Sequence, residues 1–211
     1  MENSTPIKAI IFDIEGVLTK ENGEEQRKVF AEQMVIDEKK FSESAKKYLD
    51  FVHKGNIDGL QFFQMICNDL DIPKEKAPEM VKKWLDIRES TLEINPDVWT
   101  TIEKLKEKGH LIAALTNITK LNHEARTKKG IYKLFKFNVL SFEANSKKPE
   151  KEIYNILLQD LNMHNIKAEE TLFIDDNPEY LVPAANMKMN IILFQDNNQL
   201  IKELEKLGIT I

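Results

Sequence analysis

The sequence predicts an α/β fold, a doubly wound parallel sheet carrying a small helical insertion. Three observations lead there: short apolar runs that each end in polar or acidic residues, helix-spaced apolar residues between those runs, and one long stretch with no strand pattern. A chain of 211 residues is long enough for one core with a smaller appended unit and too short for two full enzymatic domains.

The first element is Lys8 to Phe12 (KAIIF), a nearly continuous apolar run that stops at Asp13 and suits a strand buried on both faces of a parallel sheet. From about Gly23 to Glu93 no strand is expected, and Glu, Lys, Phe and Leu recur at helical intervals. Turns are marked there by Lys54-Gly55, Asn56, Gly59, Pro73 and Pro78. This segment reads as a helical bundle inserted after the first strand, which puts the α/β core at residues 1–20 and 94–211 and the inserted unit at 21–93.

Next, Asn95-Pro96 caps a helix built on Val98, Ile102 and Leu105 and stopped by Gly109. Strands are expected at Leu111 to Leu115, Phe137 to Leu140, Thr171 to Ile174 and Ile191 to Phe194. Helices are expected around Ile153, Leu157 and Leu161 and around Leu200, Leu204 and Leu207. Strand alternating with helix, joined by right-handed crossovers, makes neighbouring strands parallel.

Composition excludes several classes. With 42% hydrophobic and 31% charged residues the chain can fill a core and cover it. A net charge of −5 argues against a nucleic-acid-binding surface, which is built from clustered Lys and Arg. One cysteine, Cys67, permits no intramolecular disulfide and fits a reducing compartment. The apolar run near the start is broken by Asp13, too short for a secretory segment or membrane span, so a cytoplasmic protein with no membrane partner is expected.

Open parallel sheets bind ligands at the carboxyl ends of their strands. The residues there are Asp13, Glu15 and Gly16 after the first strand, Thr116 and Asn117 after the second, Lys147 and Lys148 beyond the third, and Asp175 and Asp176 after the fourth. This inventory suits attack on a phosphoryl group. Asp13 would be the nucleophile, forming an aspartyl-phosphate. Two anions meet in that step, so a cation is needed, and Asp13 with one or both of Asp175 and Asp176 offers the oxygen ligands that Mg²⁺ prefers. Thr116 and the backbone around Asn117 can donate to phosphoryl oxygens, a lysine can balance their charge, and Glu15 can protonate the leaving oxygen and then activate water.

Taken singly, each residue is an ordinary turn former, helix cap or charged loop. Their joint placement at four strand ends shifts the reading. His53, His110, His123 and His164 show no metal-ligand spacing and read as surface or hydrogen-bonded residues. Trp84, Trp99, Phe62 and Phe63 read as helix packing, with substrate stacking the alternative for Trp84 and pocket lining the alternative for Phe62 and Phe63.

These motifs resemble those of the haloacid dehalogenase superfamily over nearly the whole chain. IIFDIEGVL is similar to its opening D-x-D-G-[TV] pattern, with Glu15 in the second acidic position; LTN, KKPE and FIDDNPE are similar to its second, lysine and acidic fourth motifs. The resemblance implies Asp13 as nucleophile and Glu15 as acid/base with its main-chain carbonyl on the metal. It implies Thr116 and Asn117 on the phosphate, Lys148 as the charge-balancing amine, and Mg²⁺ held by Asp176 with Asp175 beside it. The stretch KGNIDGLQFF resembles the cap of small sugar-phosphate phosphatases related to the N-terminal domain of soluble epoxide hydrolase. A small phosphorylated metabolite is the implied substrate. A 2-haloacid dehalogenase, a mutase or phosphotransferase, and a catalytically silent binder of phospho-ligands or proteins are the rivals, Glu15 speaking against the first.

Three departures stand out. Glu15 is one methylene longer than the usual Asp, which moves its carboxyl by about 1.5 Å. Tyr180 takes the place of an Asn or Asp, and Lys188 the place of a glycine, while Pro183 is expected to kink its helix.

Overall fold

The computed structural model describes residues 6–20 and 23–211. The expected boundary between residues 20 and 21 abuts residues outside that set. In chain order the elements begin with β1 (Ala9–Phe12) and β2 (Thr19–Lys20), followed by four helices, α1 (Gly23–Met34), α2 (Glu38–His53), α3 (Gly59–Asp69) and α4 (Ala77–Thr91). Then come β3 (Glu93–Ile94), α5 (Pro96–Glu107), β4 (Leu111–Thr116), α6 (Lys120–Lys128), β5 (Asn138–Leu140), α7 (Ser141–Ala144) and α8 (Lys151–Met163). The chain closes with β6 (Thr171–Asp175), α9 (Pro178–Asn186), β7 (Asn190–Leu193) and α10 (Asn197–Lys206).

The main sheet has the order β5-β4-β1-β6-β7, and all of its pairs are parallel. From β1 the chain builds outward through β4 and β5, then crosses back to lay β6 and β7 on the other side. The order therefore reverses at β1, and the carboxyl end of this central strand is where such a sheet opens a crevice. Each expected strand of this sheet lies within a residue of its expected ends.

Period-two alternation sends side chains to opposite faces. Ile10, Phe12, Ile112, Ala114, Leu172 and Ile174 pack with α5 and α10 on one face. Ala9, Ile11, Ala113, Leu115 and Phe173 pack with α8 and α9 on the other. Burying each large aliphatic or aromatic side chain is worth about 1.5–3 kcal/mol, which is why β1, buried on both faces, reads as unbroken apolar sequence.

Helices α1 to α4 form the inserted bundle, with a core of its own around Phe30, Phe41, Phe63, Ile66, Met80 and Ile87. Phe30 is its hub, 4.8 Å from the Phe41 ring and 5.5 Å from those of Phe63 and Trp84. Asp58 opens α3 with a reciprocal capping box to Gln61.

Three expectations are corrected. The stretch to Glu93 is not strand-free: β3 pairs antiparallel with β2 and makes a short ribbon at the root of the bundle. Two-residue strands carry no periodicity to read. Leu207 falls just past α10 and is 39% exposed, outside the buried stripe of Leu200 and Leu204. His53 belongs to the cleft described below, not to the outer surface. Helix α9 runs through Pro183 to Asn186, where the carbonyl that lacks its N–H partner belongs to Glu179 in the exposed first turn. Among the described residues no helix is long and apolar enough to cross a membrane.

Candidate active site

The loop after β1 sets the first carboxylates. Its tip folds back on itself: Leu18 and Thr19 backbone N–H groups donate to the Ile14 carbonyl, and Gly16 N–H donates to the Thr19 carbonyl. Gly16 takes a φ of +85°, and a Cβ there would stand 2.2 Å from Asp176 Oδ2, so no other residue lets the loop lie against the end of β6.

Asp13, Asp175 and Asp176 converge at this place, one carboxylate oxygen from each lying within 4.8 Å of the other two. Lys148 is wholly buried between two of them, with Nζ 2.6 Å from Asp175 Oδ2 and 3.0 Å from Asp13 Oδ1. The same amine lies 4.9 Å from the centre of the Tyr180 ring and 5.7 Å from that of Phe173, so Tyr180 here serves as a π face for the cation. Asp175 is held at both ends, since its Oδ1 accepts from Asn177 N–H at 2.9 Å.

The electrostatics follow from burial. Desolvation works against the Lys148 ammonium, but Asp13 and Asp175 outweigh it and hold its pKa above the usual lysine value. Burial and the Asp13 charge raise the Asp175 carboxyl above the ordinary range, with Lys148 opposing. Asp176 is raised by the same two causes. Three carboxylates against one ammonium leave two negative charges, and the donors are all hard oxygens. These residues fit a small divalent cation such as Mg²⁺, with Asp13 and Asp176 the carboxylates least engaged elsewhere.

Asn117 is locked to the lysine loop from both sides. Its Nδ2 donates to the Lys148 carbonyl at 2.9 Å and its Oδ1 accepts from Lys148 N–H at 2.7 Å. Thr116 is fully buried below the cleft wall, its hydroxyl accepting from Arg126 Nη1 at 3.3 Å. Glu15 meets the same guanidinium, its Oε2 accepting from Arg126 Nη2 at 2.8 Å and lying 4.0 Å from Arg88 Nη2.

A cleft of about 730 Å³ opens over these groups, between the sheet and the bundle. Asp13, Glu15, Asn117, Lys148 and Asp176 are in its wall; Thr116 and Asp175 are not. The bundle's side includes the α2 stripe Ser42, Ala45, Lys46, Leu49, Val52 and His53, spaced for one helix face, together with Phe62 and Phe63 of α3. Lys147, the other lysine of its loop, pairs with Asp50 of α2 at 2.7 Å. Trp84 lines the cleft as well as packing the bundle, and donates through Nε1 to Asn122 Oδ1 at 3.0 Å.

Sequence reasoning missed Arg88, Arg126 and His53. Arg126 sits in HEARTKKG, which reads as the basic end of a helix, and only the fold shows it buried. For His53 the signal was its position two residues before Gly55, at the turn where the bundle returns to the sheet.

A sequence profile described as haloacid dehalogenase-like hydrolase matches residues 7–187. Bifunctional epoxide hydrolase 2 of Sus scrofa is 27% identical over 95% of this chain, which spans 38% of that protein's length. A HAD family enzyme from Bacteroides thetaiotaomicron, solved in complex with magnesium and inorganic phosphate, superposes with a TM-score of 0.72 at 23% identity, covering 92% of this chain and 98% of that one. A HAD phosphatase from Thermococcus onnurineus gives a TM-score of 0.68 at 18% identity, covering 97% and 100%. At such identities the structures share the fold.

Proposed function

The chain belongs to the haloacid dehalogenase-like hydrolases, and we propose that it is a Mg²⁺-dependent phosphatase of a small phosphorylated metabolite, acting through an aspartyl-phosphate on Asp13. The observation that carries this reading is the convergence of Asp13, Asp175 and Asp176 at adjoining strand ends, with the Lys148 ammonium buried beside them. The magnesium and phosphate bound by the Bacteroides enzyme of the same fold support the choice of ion and of reaction.

In this reading Asp13, Asp176 and the Glu15 main-chain carbonyl hold Mg²⁺, with Asp175 beside them. Bound there, the ion supplies positive charge that lessens repulsion between nucleophile and phosphate. A carboxylate oxygen of Asp13 attacks phosphorus as the ester P–O bond breaks, and Glu15 gives its proton to the departing oxygen. Glu15 then takes a proton from water, whose oxygen attacks phosphorus and releases Asp13 and inorganic phosphate. Lys148 balances charge on the phosphoryl oxygens, Asn117 shapes their seat from the cleft wall, and Thr116, buried behind that wall, acts through its contact with Arg126.

We assign residues 21–93 as a cap on the core of residues 1–20 and 94–211, closing over the cleft to exclude water. The α2 stripe is then the surface that selects the substrate.

Hydrolysis of p-nitrophenyl phosphate with and without Mg²⁺ tests the proposal. Turnover should require the ion and fall at least about 10³-fold in Asp13→Asn, the scale of losing a covalent nucleophile. Unchanged turnover in that variant contradicts it.

A further inference from the structure

Glu15 carries a proton in the reading above, and the inference here rests on that reading. We infer that Arg126 is a positioning residue which fixes Glu15 where the leaving oxygen departs. The Arg126 guanidinium forks, Nη2 to Glu15 Oε2 at 2.8 Å and Nη1 to Thr116 Oγ1 at 3.3 Å. Its side chain is 1% exposed, whereas that of Glu15 is 44% exposed. A half-exposed glutamate with several free torsions samples many rotamers. A planar guanidinium that is always charged and cannot move out of the core removes most of them.

Chain length makes the contact possible. The extra methylene of Glu15 extends its carboxyl about 1.5 Å beyond the reach of an aspartate at the same place. A shorter acid would leave the buried Arg126 charge without this anion, so the two residues are read as a matched pair.

Arg88 also faces the Glu15 Oε2 oxygen, at 4.0 Å, but it belongs to α4 of the inserted bundle and is anchored to Gln26 Oε1. Arg126 belongs to α6, the helix that follows β4, and is tied to Thr116 at the end of that strand rather than to a bundle residue. That difference assigns the positioning role to Arg126.

The leaving group provides a readout that a structural role would not move. Phenyl phosphate needs a proton on its departing oxygen far more than p-nitrophenyl phosphate does, while the two esters are nearly the same shape. Arg126→Met should lower kcat on phenyl phosphate about tenfold more than on p-nitrophenyl phosphate, a fraction of the whole contribution of a general acid. KM for both should change little. In a Glu15→Gln background Arg126→Met should add no further discrimination between the esters. Arg126→Lys, which keeps the charge and loses the fork, should fall between wild type and Arg126→Met, and it carries the test if Arg126→Met fails to fold. Equal losses on both esters, or undiminished discrimination in the Glu15→Gln background, overturn the inference. Wild-type protein inert toward both esters with Mg²⁺ present overturns the phosphatase reading and this inference with it.

Discussion

Burial pushes the His53 imidazole down to about 4, helped by Lys147, Arg126 and Arg88 and opposed by Asp50. The unfolded chain binds that proton at the ordinary value of about 6.5, and the folded chain does not until about 4. Between those values unfolding takes up a proton, so this group lowers stability as pH falls through the window and contributes nothing above it. His53→Gln should therefore shrink the loss of stability between pH 7 and pH 5 by on the order of 1 kcal/mol, read from urea midpoints at each pH. An unchanged difference would mean that the imidazole titrates alike in both states. The three clustered acids were legible in the sequence. Asp13, Asp175 and Asp176 each end an apolar run, where an acid is conspicuous. Arg126 was not legible, because a buried arginine and a solvated one look the same in HEARTKKG.

Elements were readable to the extent that their periodicity is long. The parallel strands and α5 announce themselves by apolar runs and by the Asn95-Pro96 cap, whose Oδ1 receives Val98 N–H at 3.5 Å. The β2–β3 ribbon, with Thr19 opposite Ile94, has no pattern to detect. After α9, Lys188 adopts a φ of +67°, the left-handed conformation that glycine accepts freely and a side chain resists. Lys188→Gly should relieve about 1–2 kcal/mol of that strain while giving back about 0.5–1 kcal/mol to unfolded-chain entropy. A net gain of roughly 0.5 kcal/mol is expected by denaturant unfolding. A net loss would show that the lysine side chain contributes more here than its backbone costs.

At the scale of the molecule the bundle rests on the core through Leu121 of α6, which packs into the bundle's apolar cluster, and through polar contacts. Lys54 pairs with Glu150 at 2.6 Å, Asn56 with Asn145 at 2.8 Å, and Lys128 with Glu89. Gly55, at φ +72°, brings its backbone so near the Phe142 carbonyl that a Cβ would lie 2.2 Å from it. Part-exposed ion pairs of this kind are individually weak, which is compatible with the cap closure proposed above. Insertion and core were separable by eye in the sequence, since one lacks strand runs and the other has them. How the two meet depends on side chains from distant segments, and no local pattern encodes that.

Covalent capture of phosphate on Asp13 is the claim to which the other roles are subordinate. Enzyme mixed with p-nitrophenyl phosphate and Mg²⁺, quenched rapidly in acid, reduced with borohydride and digested, should show Asp13 converted to homoserine by mass spectrometry, with no conversion when the ion is withheld. Full Mg²⁺-dependent turnover with Asp13 unmodified at every quench time would contradict the account.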